Sequence, residues 1–180
     1  MRNYKYFRVH TGENAYSTQL PRGIFVAVWR LVDNKVMTSE EINIYWENRE
    51  WFEENLPIPP FYTNNNPDKA ITWFKTTDEA IEMFSKMTHY INMAQKYNVK
   101  LYITKTNDIP GVIIYEDIYQ IAVKESKHSG EGYITSEFDT LNIWNSLGFI
   151  WREVTNIEGS TKFSKNSFFF HEFEKTSPYY

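Results

Sequence analysis

The chain has 180 residues, 42% of them apolar and 23% charged, with a net charge of −4 and no cysteine. That length fits one domain with an appended segment, and that composition excludes a disordered chain. The mild negative charge argues against non-specific nucleic-acid binding, which needs a cationic surface, and the lack of cysteine excludes disulfides and thiolate metal sites.

The opening residues, Met1-Arg2-Asn3-Tyr4-Lys5, contain no apolar run of the kind a secretory signal needs. The longest apolar runs, such as residues 24–29, fall far short of a bilayer span. A soluble chain in the cytoplasm, without membrane association, is expected.

In chain order, residues 4–10 carry Tyr4, Tyr6 and Val9 at a rough period of two and read as a strand. Residues 11–22 read as a loop. Gly23 opens the apolar run Ile24-Phe25-Val26-Ala27-Val28-Trp29, which fits either a strand buried on both faces or a short buried helix. Thr38 and Glu41 have the spacing of a capping box, and Ile42, Tyr45, Trp46, Phe52 and Leu56 follow at helical spacing until Pro57, Pro59 and Pro60 stop the helix. Asn64-Asn65-Asn66-Pro67 is a turn cluster, and residues 70–74 predict a short strand.

A second helix is predicted from Thr76 and Glu79 through Ala80, Met83, Phe84, Met87, Tyr90, Ile91, Ala94 and Tyr97. Residues 99–104 alternate as a strand. Asp108-Ile109-Pro110-Gly111 reads as a type II turn. Residues 112–115 and 118–123 supply one interrupted strand or two short ones, and residues 124–132 a polar connector. A helical piece then contains Leu141, Trp144 and Leu147, followed by strands at residues 149–151 and 168–174. The expected fold is α+β, with two main helices and a mixed or mostly antiparallel sheet. The expected domain is residues 1–126, with residues 127–180 as a C-terminal extension.

Four histidines, His10, His89, His128 and His171, stand far apart and form no ligand pair, so no metal site is expected. The seven glycines are dispersed, with no phosphate-cradling loop and no GxSxG elbow, and no cofactor is expected. Glu116 and Asp117 are adjacent acids that share a site only across a turn, where solvation is the plain alternative.

Arg8 and His10 fall on one face of the first strand, with Glu13, Arg22 and Arg30 nearby. Arginines aimed into a cleft would grip a carboxylate or pyrophosphate bidentately; an exposed face of charged pairs is the plain alternative. Tyr6-Phe7-Arg8-Val9 resembles the first strand of ADP-ribosyltransferases, whose arginine there binds the phosphates of NAD. The resemblance further implies a Ser or Thr motif on a middle strand and a late glutamate. Ser17-Thr18 instead follows Arg8 directly in a loop, and neither Glu125 nor Glu131 lies in a paired-acid motif.

A broader likeness covers about residues 4–123. Tyr6-Phe7-Arg8-Val9-His10-Thr11-Gly12, the run from Gly23 to Val32, Trp51-Phe52 through Pro59-Pro60-Phe61-Tyr62, Ala70-Ile71-Thr72-Trp73-Phe74-Lys75 and Pro110-Gly111 through Tyr115-Glu116-Asp117 resemble blocks of an uncharacterised bacterial protein family. That likeness carries no activity.

Aromatic residues make up 18% of the chain, densest over residues 46–74 among prolines and asparagines. Rings of this kind serve a core or a recognition surface equally well. Phe61, Tyr62 and Trp73 flank the proline and asparagine loop and are the candidate contact residues for a protein partner. The leading expectation is an intracellular binding protein, of inhibitor or immunity type from a bacterium or phage, acting through this loop. The alternative is a small nucleotide- or anion-using enzyme, ADP-ribosyltransferase-like, centred on Arg8 and His10, with Arg22 beside them.

Overall fold

Phe7 and Val9 alternate with Arg8 and His10 along the first strand, so a single stretch of chain supplies an apolar face and a polar one. The structure, a computed structural model, describes residues 4–14 and 20–139. Among these, β1 (Tyr6–Asn14) lies inside an antiparallel sheet with β2 (Pro21–Gly23), β3 (Ile71–Lys75), β4 (Leu101–Thr106), β5 (Val112–Glu116), β6 (Gln120–Lys124) and β7 (Tyr133–Glu137). The order is β5-β6-β3-β1-β4-β7, with β2 added to β1. Four helices complete the described residues: α1 (Ile24–Asp33), α2 (Ser39–Asn55), α3 (Asp78–Ser85) and α4 (Thr88–Lys96). The protein is therefore an α+β domain with an antiparallel sheet. None of its described helices is long and apolar enough to cross a membrane.

The larger core lies between one sheet face and the helices, where Phe7, Val9, Phe74, Leu101 and Ile103 meet Ile24, Val28, Phe84, Tyr90 and Ile91. Phe7 is fully buried, stacked on Phe74 at 5.6 Å and edge-on to Phe84 at 5.1 Å. Burial of a side chain this size contributes roughly 2–3 kcal/mol. A smaller cluster, Ile71, Trp73, Ile121 and Val123 with Tyr6, Leu20, Ile113 and Tyr133 against it, covers part of the opposite face.

The run after Gly23 is helical. Ile24, Ala27 and Val28 turn inward at the spacing of one helix face, while Val26 and Trp29 are exposed. The capping box at α2 is present: Thr38 Oγ1 accepts from Glu41 N at 3.3 Å, and Glu41 Oε2 accepts from Thr38 N at 2.9 Å.

The expected second helix is two helices. Its cap is Thr77, which accepts from Ala80 N at 3.3 Å, while Thr76 turns its hydroxyl to the Tyr4 carbonyl. At the break the Ser85 hydroxyl donates to the Glu82 carbonyl and Thr88 Oγ1 to the Ser85 carbonyl. Such side-chain bonds compete with the helical ladder, and the backbone tightens into three-residue turns there (Lys86 N to Met83 O at 3.1 Å, Met87 N to Phe84 O at 2.9 Å).

One strand, β2, begins where the sequence reads as a loop, and another, β7, lies where the sequence reading assigns no element. β2 is three residues long, and β7 is polar and largely exposed, so neither carries a hydrophobic pattern. β7 pairs with β4 from Tyr102↔Glu137 to Thr106↔Tyr133, which makes residues 133–137 continuous with the sheet. Gly111 has no left-handed backbone, so the type II turn is absent. A Cβ there would instead come within 2.5 Å of the Lys124 carbonyl, and a glycine is needed for close approach. The helical piece at residues 141–147 and the strands at 149–151 and 168–174 lie outside the described residues.

Candidate functional site

β1 changes neighbour at Arg8. Below it, Tyr6↔Lys75 and Phe7↔Phe74 pair with β3; above it, the same edge of β1 pairs with β2, beginning at His10↔Gly23. The opposite edge runs unbroken against β4 from Tyr6↔Thr106 to Thr11↔Leu101. The sheet thus forks between β3 and β2, and Arg8 stands at the fork.

Arg8 is only 7% exposed. Its Nη2 donates to the Pro21 carbonyl at 2.6 Å, and its Nη1 donates to His128 Nε2 at 2.8 Å. Gly23 sits against the same nitrogen, since a Cβ there would lie 3.4 Å from Nη2. Among the described residues Arg8 makes no ion pair with a carboxylate. Burial without a counter-charge lowers its guanidinium to about 10, with a smaller opposing pull from Tyr62. A guanidinium offers five N–H donors, and two hydrogen bonds from Arg8 are made among the described residues.

Because Arg8 can only donate, His128 Nε2 must accept, and the imidazole is neutral with its proton on Nδ1. Burial first, then the charge of Arg8 and the neighbouring His10, pushes His128 down to about 3. Its ring lies 5.0 Å from Trp73 and 6.0 Å, edge-on, from His10.

His10 is also buried. Its Nδ1 donates to the Thr11 carbonyl at 2.8 Å, so its Nε2 accepts from Thr104 Oγ1 at 2.8 Å, and Thr104 Oγ1 in turn accepts from Thr135 Oγ1 at 2.7 Å. Burial lowers its pKa, the Thr11 carbonyl opposes this, and Arg8 adds to it. The result is a neutral imidazole joined by two hydroxyls to the exposed β7 edge.

Of the residues singled out by sequence, Arg8 and His10 share the cluster, as their alternation on β1 requires. Trp73 is fully buried behind it, with Nε1 donating to Ser126 Oγ at 3.1 Å. Tyr62 stands on a 3-10 turn, Pro60–Asn64, its hydroxyl bonded to Thr72 Oγ1 at 2.8 Å and its ring 4.6 Å from Phe61. It lies within electrostatic reach of Arg8 and keeps 40% of its surface exposed; burial of the hydroxyl raises its pKa, while Thr72 and Arg8 oppose that. Phe61 is half-buried beside it. Arg22 pairs with the exposed Glu13 at 2.6 Å.

The acids at the end of β5 have structural partners: Glu116 pairs with Lys75 at 2.6 Å, and Asp117 Oδ1 accepts from Tyr119 N and Gln120 N at 2.7 and 2.9 Å. His128, Thr104 and Thr135 were not expected in the site. His128 lies 120 residues from Arg8, and the two hydroxyls join through strand register, so no local spacing marks them. Among the described residues no group of three or more His, Asp or Glu side chains is placed to hold a metal ion. No protein-family model, curated protein or solved structure matches this chain.

Proposed function

We propose that this protein binds a small anionic ligand of the nucleotide class at the fork beside Arg8. The observation that supports this is a buried guanidinium whose partners among the described residues are neutral, a carbonyl and an imidazole. A buried cation without a counter-charge is costly, and an incoming phosphate or carboxylate would relieve that cost through charge-assisted, bidentate hydrogen bonds. His10, neutral and adjacent, would serve as the acid or base if the ligand is transformed. In the ADP-ribosyltransferase-like form of this reading, Arg8 takes the phosphates of NAD. A cytoplasmic, bacterial or phage setting belongs to the same proposal and rests on composition.

Thermal-shift measurements with pyrophosphate, ADP-ribose and NAD test it. At a hundredfold excess over Kd a ligand adds about 2.7 kcal/mol, enough for a clear rise in melting temperature. The rise is expected in the wild type and not in Arg8→Ala. A wild type indifferent to all three, or a variant that responds equally, overturns the reading.

A second reading, a protein partner met by the aromatic loop, is supported by the exposed ring of Tyr62 beside Phe61 on a proline-stiffened turn. Trp73, being interior, would act only as backing. Replacing Phe61 and Tyr62 with alanine should then abolish recovery of a partner from native lysate; unchanged recovery removes this reading.

A further inference from the structure

The Arg8 donor that faces residues 125–132 is already engaged. His128 Nε2 accepts the Nη1 hydrogen at 2.8 Å, an imidazole lone pair standing where a ligand oxygen would stand. The other ring nitrogen, Nδ1, is buried and has no hydrogen-bond partner among the described residues. The ring is therefore hydrogen-bonded through one nitrogen, and leaving its place breaks that bond and its contacts with Trp73 and His10 while freeing a donor that is unsatisfied inside.

The segment that carries His128 is anchored before the histidine and turns on two glycines after it, where Tyr133 N donates to the Gly130 carbonyl at 3.2 Å. Trp73 Nε1 donates to Ser126 Oγ at 3.1 Å, and Lys127 N donates to the Pro110 carbonyl at 2.7 Å. Beyond the histidine, Gly130 and Gly132 have φ of +115° and +87°, a backbone that glycine adopts readily. Nothing lies within 4 Å of the place a Cβ would take on Gly130, whereas one on Gly132 would meet Asp108 Oδ2 at 2.5 Å. His128 can thus rotate out while its strand contacts hold.

We infer that His128 is an autoinhibitory plug: it occupies Arg8 Nη1 in the unliganded protein, and an anion that grips the guanidinium through that nitrogen does so by displacing the imidazole. This rests on the proposal that Arg8 is an anion site and adds its regulation. A neutral imidazole is a weaker partner for guanidinium than a charged oxyanion, so the ligand wins the competition at a discount in apparent affinity. Whatever draws residues 125–132 away from the sheet raises affinity at the fork.

Calorimetric titration with inorganic pyrophosphate tests the plug in the wild type, His128→Ala and Arg8→Gln. Removing the competitor should tighten binding about tenfold, the factor expected when about one molecule in ten is open. Arg8→Gln should bind nothing. Equal or weaker binding by His128→Ala overturns the plug and leaves the anion site standing. No binding by any of the three overturns the anion site as well. A second measurement needs no substitution at the histidine. In nitrogen-15 imidazole spectra of the wild type, saturating pyrophosphate should move His128 Nε2 off its hydrogen-bonded value, and an unmoved signal in a protein shown to bind overturns the plug.

Discussion

The Tyr97 hydroxyl, one residue past α4, donates to the Glu41 carboxylate in the first turn of α2. Lys96 pairs with the same carboxylate, which also closes the capping box on Thr38. One acid thereby joins the start of one helix to the end of another. Burial alone would raise its pKa, but the bonds from Lys96, Tyr97 and Thr38 outweigh burial and hold it at about 2. The folded pKa is below the unfolded 4.5, so this contribution is present above 4.5 and is lost as pH falls through that value toward about 2. Glu41→Gln should lower the melting temperature at neutral pH and flatten the acid limb of the wild-type curve. An unchanged acid limb in the variant would show that other carboxylates set it.

Histidine burial governs a higher window. His10 and His128 are both lowered from 6.5, burial first in each, and His128 falls to about 3. The fold keeps them neutral, so the unfolded chain binds more protons below 6.5, and stability falls as pH drops through 6.5. Urea midpoints should be lower at a pH of about 5.5 than at about 7.5, and the difference should shrink in His128→Ala. Equal midpoints in the wild type would mean that the imidazoles are protonated in the fold.

Elements whose pattern arises within a few residues were legible in the sequence. The capping box at Thr38, the prolines ending α2 and the alternation that puts Arg8 with His10 all need only local sterics and hydrogen bonds. What was not legible depends on partners remote in the chain. β7 is polar because it is an edge strand with most of its surface in water, so it has no apolar period to read. The break after Ser85 follows from hydroxyls choosing backbone carbonyls, against an apolar spacing that runs on without interruption. In the site, the pairing of Arg8 with His128 is set by the fork in the sheet and by the path of residues 125–132, neither of which leaves a local signature.

Gly111 marks where the chain passes close behind β6. An added Cβ would meet the Lys124 carbonyl at 2.5 Å and Val123 side-chain atoms at 3.1 and 3.2 Å. The nearest atom is backbone in a paired strand and cannot step aside cheaply. Gly111→Ala should cost roughly 1–3 kcal/mol by overpacking, read as a lower urea midpoint at unchanged slope. A variant as stable as the wild type would mean that β5 and β6 can part locally.

Thr104 offers the sharpest test of the hydroxyl chain at the fork. It is fully buried, donates to His10 Nε2 at 2.8 Å and accepts from Thr135 at 2.7 Å. Thr104→Val keeps the shape and the β-branch but removes the hydroxyl, leaving the His10 nitrogen buried without its donor. A buried polar group stripped of its partner costs about 1–3 kcal/mol, whereas Thr135, exposed on β7, recovers a bond from water. Thr135→Val should therefore be nearly neutral, while Thr104→Val lowers stability and shifts the His10 ring resonances. If the two variants lose equal stability, the chain is held from its exposed end and not from the imidazole. If His10 resonances stay in place in Thr104→Val, its Nε2 has another partner and the tautomer assigned to it is wrong.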